Sequence, residues 1–177
     1  MNINFKQLNS KRLARALMAV FAIAAAGLGA NSFAAQSTGT FAVTATVDAA
    51  CTISGTTLGF GNFNVLSGSN VDSTSTLTAT CTNGSAYTVG LNAGLGSGAT
   101  VTTRKMTHTN TVNTLNYSLS TLSSGGTNWD DVGGTTVASG TGSGTGQSIT
   151  VFGRVPTGQT SPIVGGYSDT ITATIDF

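Results

Sequence analysis

Few residues in this 177-residue chain could carry acid–base, nucleophilic or metal chemistry. Its one histidine, His108, stands in RKMTHTN among threonines and close to two cations, with no ligand spacing to either cysteine. General acid–base work wants a placed imidazole or two carboxylates whose environments separate their pKa values. His108 reads instead as a solvated strand or loop residue. Asp130 and Asp131 follow Trp129 in a glycine-flanked segment, which reads as a turn or loop rim without the spaced oxygen ligands of a calcium loop. No G-x-S-x-G elbow occurs, and the glycines of SGTGSGTGQ (139–147) do not lie between a strand and a helix, as a phosphate-binding loop needs. Catalysis, a metal and a cofactor therefore have no support. Trp129, the single tryptophan, beside two aspartates is a thin basis for an aromatic binding patch.

Cys51 and Cys81 are the only cysteines. Their chemistry depends on compartment, which the start of the chain indicates. Lys6, Lys11, Arg12 and Arg15 precede the apolar run ALMAVFAIAAAGLGA, and small residues follow at the positions a signal peptidase reads in NSFA. That order predicts a secretory signal over 1–34 rather than a membrane anchor, the run being too short to favour a span. In an exported chain a single cysteine pair predicts a disulfide between Cys51 and Cys81. Closing a loop of about 30 residues contributes roughly 3–4 kcal/mol in the chain-entropy description.

Cleavage after Ala34 removes four of the seven basic residues and leaves Arg104, Lys105 and Arg154 against six Asp and no Glu. Such a charge lacks the basic footprint of a nucleic-acid or anionic-membrane binder. No nucleic acid partner and no membrane insertion of the mature chain are expected. The 143 remaining residues suffice for one domain, burying roughly 68% of the surface of its unfolded chain.

The elements that would hold any site are strands. STLTATC puts Leu77, Ala79 and Cys81 on one face; AYTVGL does so with Tyr87, Val89 and Leu91, and LNYSLS with Leu115, Tyr117 and Leu119. SITVFGRV continues with Ile149, Val151 and Val155, with Phe152 opposite. The closing GGYSDTITATIDF (165–177) reads as a strand to its last residue, with Ile171, Ala173, Ile175 and Phe177 inward. Abundant threonine suits a pleated, partly exposed surface. Turn signals separate the runs at Asn83-Gly84, Gly125-Gly126 and Gly133-Gly134. No stretch beyond the signal has helical periodicity, so an all-β antiparallel sandwich is predicted.

Three segments in order carry a family resemblance: LGFGNF (58–63), VFGRVPTGQ (151–159) and the closing GGYSDTITATIDF, with Gly153, Pro156, Gly166, Tyr167, Asp169, Thr170 and Phe177 as the spaced set. With the two cysteines about thirty residues apart, the chain resembles the spore coat protein U domain family. That family includes subunits of archaic, Csu-type chaperone–usher pili. The resemblance implies an incomplete immunoglobulin-like sandwich that lacks its last strand and leaves an apolar acceptor groove beside the C-terminal strand, at Ile171, Ala173, Ile175 and Phe177. It also implies that a periplasmic chaperone fills this groove first, with basic chaperone residues holding the Phe177 carboxylate. At the outer-membrane usher, the N-terminal segment of a neighbouring pilus subunit then replaces it, an instance of strand addition to a sheet edge.

STGTFAVTATVDAA (37–50) has the form of such a donor strand, with Phe41, Val43, Ala45 and Val47 at every second position and no charge before Asp48. Burying these four side chains is worth roughly 5–9 kcal/mol, comparable with the whole net stability of a domain at about 5–15 kcal/mol. An ordinary first strand within the chain's own domain is the competing reading of 38–48. The expected organisation is a signal over 1–34, a donor segment over 35–48 and a β-sandwich over 49–177. The expected function is a structural subunit of an extracellular, cell-surface pilus, exported through the periplasm and supporting adhesion and biofilm formation. The alternatives are a secreted coat protein of the same family and a tip-adhesin binding module.

Overall fold

The computed structural model describes residues 34–177, so all but the last residue of the expected signal lies outside the described residues. Residues 34–50 form no strand and are exposed throughout. By chain contacts, one compact unit runs from Ala45 to Phe177.

Nine strands and no helix occur among the described residues: β1 (Cys51–Gly55), β2 (Val71–Cys81), β3 (Ala86–Leu91), β4 (Arg104–His108), β5 (Thr114–Ser120), β6 (Ala138–Thr141), β7 (Gly146–Val155), β8 (Tyr167–Ser168) and β9 (Ala173–Asp176). They build two antiparallel sheets in an immunoglobulin-like sandwich, ordered β1-β2-β7-β5-β4-β8 and β6-β3-β9. Alternation explains the assembly. Leu77, Ala79, Leu115, Tyr117, Leu119, Val151 and Val155 come from the large sheet and meet Tyr87, Val89 and Leu91 of the small one. The predicted disulfide is present between Cys51 and Cys81, which face each other in the β1–β2 register. It fastens an edge strand to its only ladder partner.

TFAVTATV alternates as a strand does but has no ladder partner within its own chain, the first strand beginning at Cys51. SGTGSGTGQ spans the end of β6 at Thr141 and the start of β7 at Gly146. Two readings from the sequence need correction. The closing segment is not one strand. β8 pairs with β4 in the large sheet, residues 169–172 cross over, and β9 pairs with β3 in the small sheet. Phe177, expected inward, is 55% exposed.

Candidate functional site

The core of the domain is half covered. Twelve hydrophobic residues are buried, and thirteen more pack against them while only partly shielded, Ile53, Leu58, Phe60, Phe63, Ile171 and Ala173 among them. These six line one groove of about 1320 Å³, whose floor is core: Leu77, Leu91, Leu115, Tyr117, Leu119, Val151 and Val155. β1 and β9 form its flanks, and both are edge strands of their sheets. Loop residues Ile163 and Val164 close one end.

Two glycines let the walls approach. A Cβ on Gly153 would stand 2.9 Å from both Leu58 and Phe60, so β7 has no side chain where the LGFGNF segment lies across it. Two of the three family-like segments thus touch. Phe60 also packs edge-on against Tyr117, with ring centroids 6.1 Å apart. Gly94, with a positive φ of 83°, lies so close to the Asp169 carboxylate that any side chain there would overlap it.

Asp169 and Asn92 fix the crossover between β8 and β9. One Asp169 oxygen accepts from the backbone N–H groups of Leu95 (2.7 Å) and Thr170 (2.8 Å), and the other accepts from the Tyr117 hydroxyl at 2.7 Å. The Asn92 backbone N–H donates to the Thr172 carbonyl, and its side-chain oxygen accepts from Thr172 N–H at 2.9 Å. Burial first, then the bond to Asp169, pushes the Tyr117 hydroxyl pKa far above its ordinary value. These contacts place Ile171 and Ala173 in the groove wall.

The residues singled out for chemistry have structural posts. Trp129 is fully buried, and its indole N–H donates to the Val89 carbonyl at 2.8 Å. Asp130, far from a bare loop rim, accepts from the N–H groups of Thr135 and Thr136. Arg104, read only as a scattered cation, is fully buried on β4. Its guanidinium donates to the carbonyls of Leu91, Asn92, Val101 and Trp129 at 2.7–2.9 Å. Desolvation lowers its pKa, with Tyr117 and the nearby aspartates opposing, but an arginine stays charged regardless. His108 is buried rather than solvated, at 8% exposed. Its Nδ1 accepts from Asn110 N–H, and its ring meets Tyr167 edge-on.

Of the expected acceptor residues, Ile171 and Ala173 line the groove. Ile175 is half-buried against the core outside its lining, and Phe177 borders a separate shallow depression with Tyr87 and Gly140. The expected donor residues Phe41, Val43 and Val47 are 88%, 84% and 81% exposed, and Ala45 is exposed as well. The sequence reading missed the LGFGNF wall. Its only signal was three apolar residues, Leu58, Phe60 and Phe63, whose alternation breaks after Phe60.

Sandwich and groove define a β-sandwich domain with an uncovered core face between two sheet edges. The spore coat protein U domain matches residues 37–174, and the chain belongs to that family. Among curated proteins none matches. Among solved structures, the chain is similar to the CsuC–CsuE chaperone–tip adhesion subunit pre-assembly complex from archaic chaperone–usher Csu pili of Acinetobacter baumannii. The TM-score is 0.53 at 22% identity, covering 75% of this chain and 41% of that chain. The chain thus spans well under two thirds of that neighbour's length, and the likeness is one of fold.

Proposed function

We propose that this chain is a structural subunit of a surface pilus that polymerises by donor-strand exchange. A periplasmic chaperone and an outer-membrane usher deliver it to the cell surface, where the fibre serves adhesion and biofilm formation. The observation that carries this reading is the apolar groove between two unpaired sheet edges, in a chain whose residues 41–47 present alternating apolar side chains to solvent. Family membership and the fold shared with a chaperone-bound pilus subunit agree with it. Phe41, Val43, Ala45 and Val47 of one subunit would enter the groove of the next, and the boundaries 35–48 and 49–177 separate donor from acceptor. The work done is assembly, not catalysis.

Insertion has a geometric requirement. β1 and β9 come within 8 Å at some Cα atoms without sharing ladder hydrogen bonds. A strand paired to both needs them about 9.5 Å apart, so the edges must part where they come this close as it seats. Deleting Thr38 to Val47 should leave a subunit that is captured by its chaperone but cannot donate. Electron microscopy of cells producing only the deletion variant should show no fibres. Ordinary fibres would rule out donation and favour a self-contained coat protein.

A further inference from the structure

A chain leaving a neighbour's groove has little slack; this inference rests on the donor reading above. Only Asp48, Ala49 and Ala50 separate Val47 from Cys51, the first residue of β1. Four fully extended Cα steps reach about 14 Å. Wherever Val47 seats, the disulfide end of the donor's own domain must follow within that reach. Two domains so linked touch each other.

Strand polarity selects the surface. β9 runs from Ala173, opposite Leu91, to Asp176, opposite Thr88, and so toward the disulfide end, where β3 begins soon after Cys81. β1 runs from Cys51 away from the disulfide end, so a strand between the two edges is antiparallel to one and parallel to the other. The surface follows from the antiparallel ladder, slightly more stable per residue, lying on β9. A strand added to β9 in that sense runs away from the disulfide end, and its Val47 emerges beside Ile163 and Val164.

That end carries apolar side chains with nothing over them. Val164 is 99% exposed, Val112 94% and Ile163 47%. They sit on two loops that hydrogen bonds clamp together. Asn113 Nδ2 donates to the Ser161 carbonyl at 3.1 Å, the Tyr167 hydroxyl donates to Asn113 Oδ1 at 2.8 Å, and Thr109 N–H donates to the Gly166 carbonyl at 3.0 Å. Exposed apolar residues scattered singly are ordinary, whereas a group at the mouth of a groove marks a contact surface. We propose that Val112, Ile163 and Val164 form the seat for the disulfide end of the next copy of this chain. Ala49, Ala50 and the turn around Asn83 of that copy rest on it.

The test uses assembled full-length chain with paired cysteines and a short bismaleimide. Val164→Cys with Asn83→Cys should give a ladder of covalent multimers, and Phe177→Cys with Asn83→Cys should not. A ladder from the second pair alone would reverse the polarity and overturn the seat. A second variant, Val112→Asp, which lies outside the groove lining, should bind a Ser37–Asp48 peptide as the unaltered chain does while its subunits associate about tenfold more weakly, as when apolar anchors leave an interface. Unchanged association with intact peptide binding would overturn the seat and leave donation standing. Failure of the unaltered chain to bind the peptide would overturn both.

Discussion

Arg104 joins the two sheets with charge-assisted hydrogen bonds. From β4 of the large sheet it reaches the Leu91 carbonyl at the end of β3 in the small one, and the Asn92, Val101 and Trp129 carbonyls around it. Replacement by methionine keeps much of the volume but strands these acceptors in the interior, each unmet group costing about 1–3 kcal/mol. Arg104→Met should therefore lose at least about 3 kcal/mol in urea unfolding, with Arg104→Lys recovering only part because an ammonium lacks the planar fork. Tyr117 gives a pH prediction. Its folded pKa lies above the ordinary value of 10.0, so the folded state holds its proton more tightly than the unfolded chain. That stability is complete below pH 10 and is lost as pH rises through the folded value. Tyr117→Phe should flatten the alkaline limb of a stability–pH curve, while an unchanged limb would assign the loss to other groups. Neither role was legible in the sequence. An arginine in RKMTH carries no periodic signal, because three of its four carbonyl partners lie more than ten residues away, and Tyr117, though read on an inward face, gives no sign of Asp169 fifty-two residues on.

At the scale of elements, period-2 runs were legible wherever one strand stays in one sheet. AYTVGL is β3 to the residue, and the alternations at 75–81, 115–120 and 148–155 lie in β2, β5 and β7. The failures share a cause, since alternation records which face a side chain takes and not which strand lies alongside. TITATIDF alternates evenly although its chain has just changed sheets at 169–172, a change made by Asp169 and Asn92 through hydrogen bonds. TFAVTATV alternates with no partner strand at all. The LGFGNF wall depends on the bare backbone of Gly153. Gly153→Val should push Leu58 and Phe60 off β7 at about 1–3 kcal/mol, the usual cost of overpacking. It should also weaken capture of a donor peptide, measured by calorimetry. Full stability with full peptide affinity would mean that the wall can move without consequence.

For the whole molecule, the half-covered core is the governing fact. The four side chains proposed as donors would contribute roughly 5–9 kcal/mol on burial, against a net domain stability of about 5–15 kcal/mol. A subunit with an empty groove is accordingly marginal, and its free edges at β1 and β9 invite association. The disulfide and the buried Arg104 fasten the remaining parts of the sandwich, leaving the groove as the place where stability is missing. The most direct test is thermal unfolding of the chain without residues 35–48, refolded with and without a Ser37–Asp48 peptide. A substantial rise in Tm with the peptide, abolished when Phe41, Val43 and Val47 of the peptide are replaced by serine, is the predicted result. The same Tm with and without the peptide would contradict completion of this fold by a donated strand.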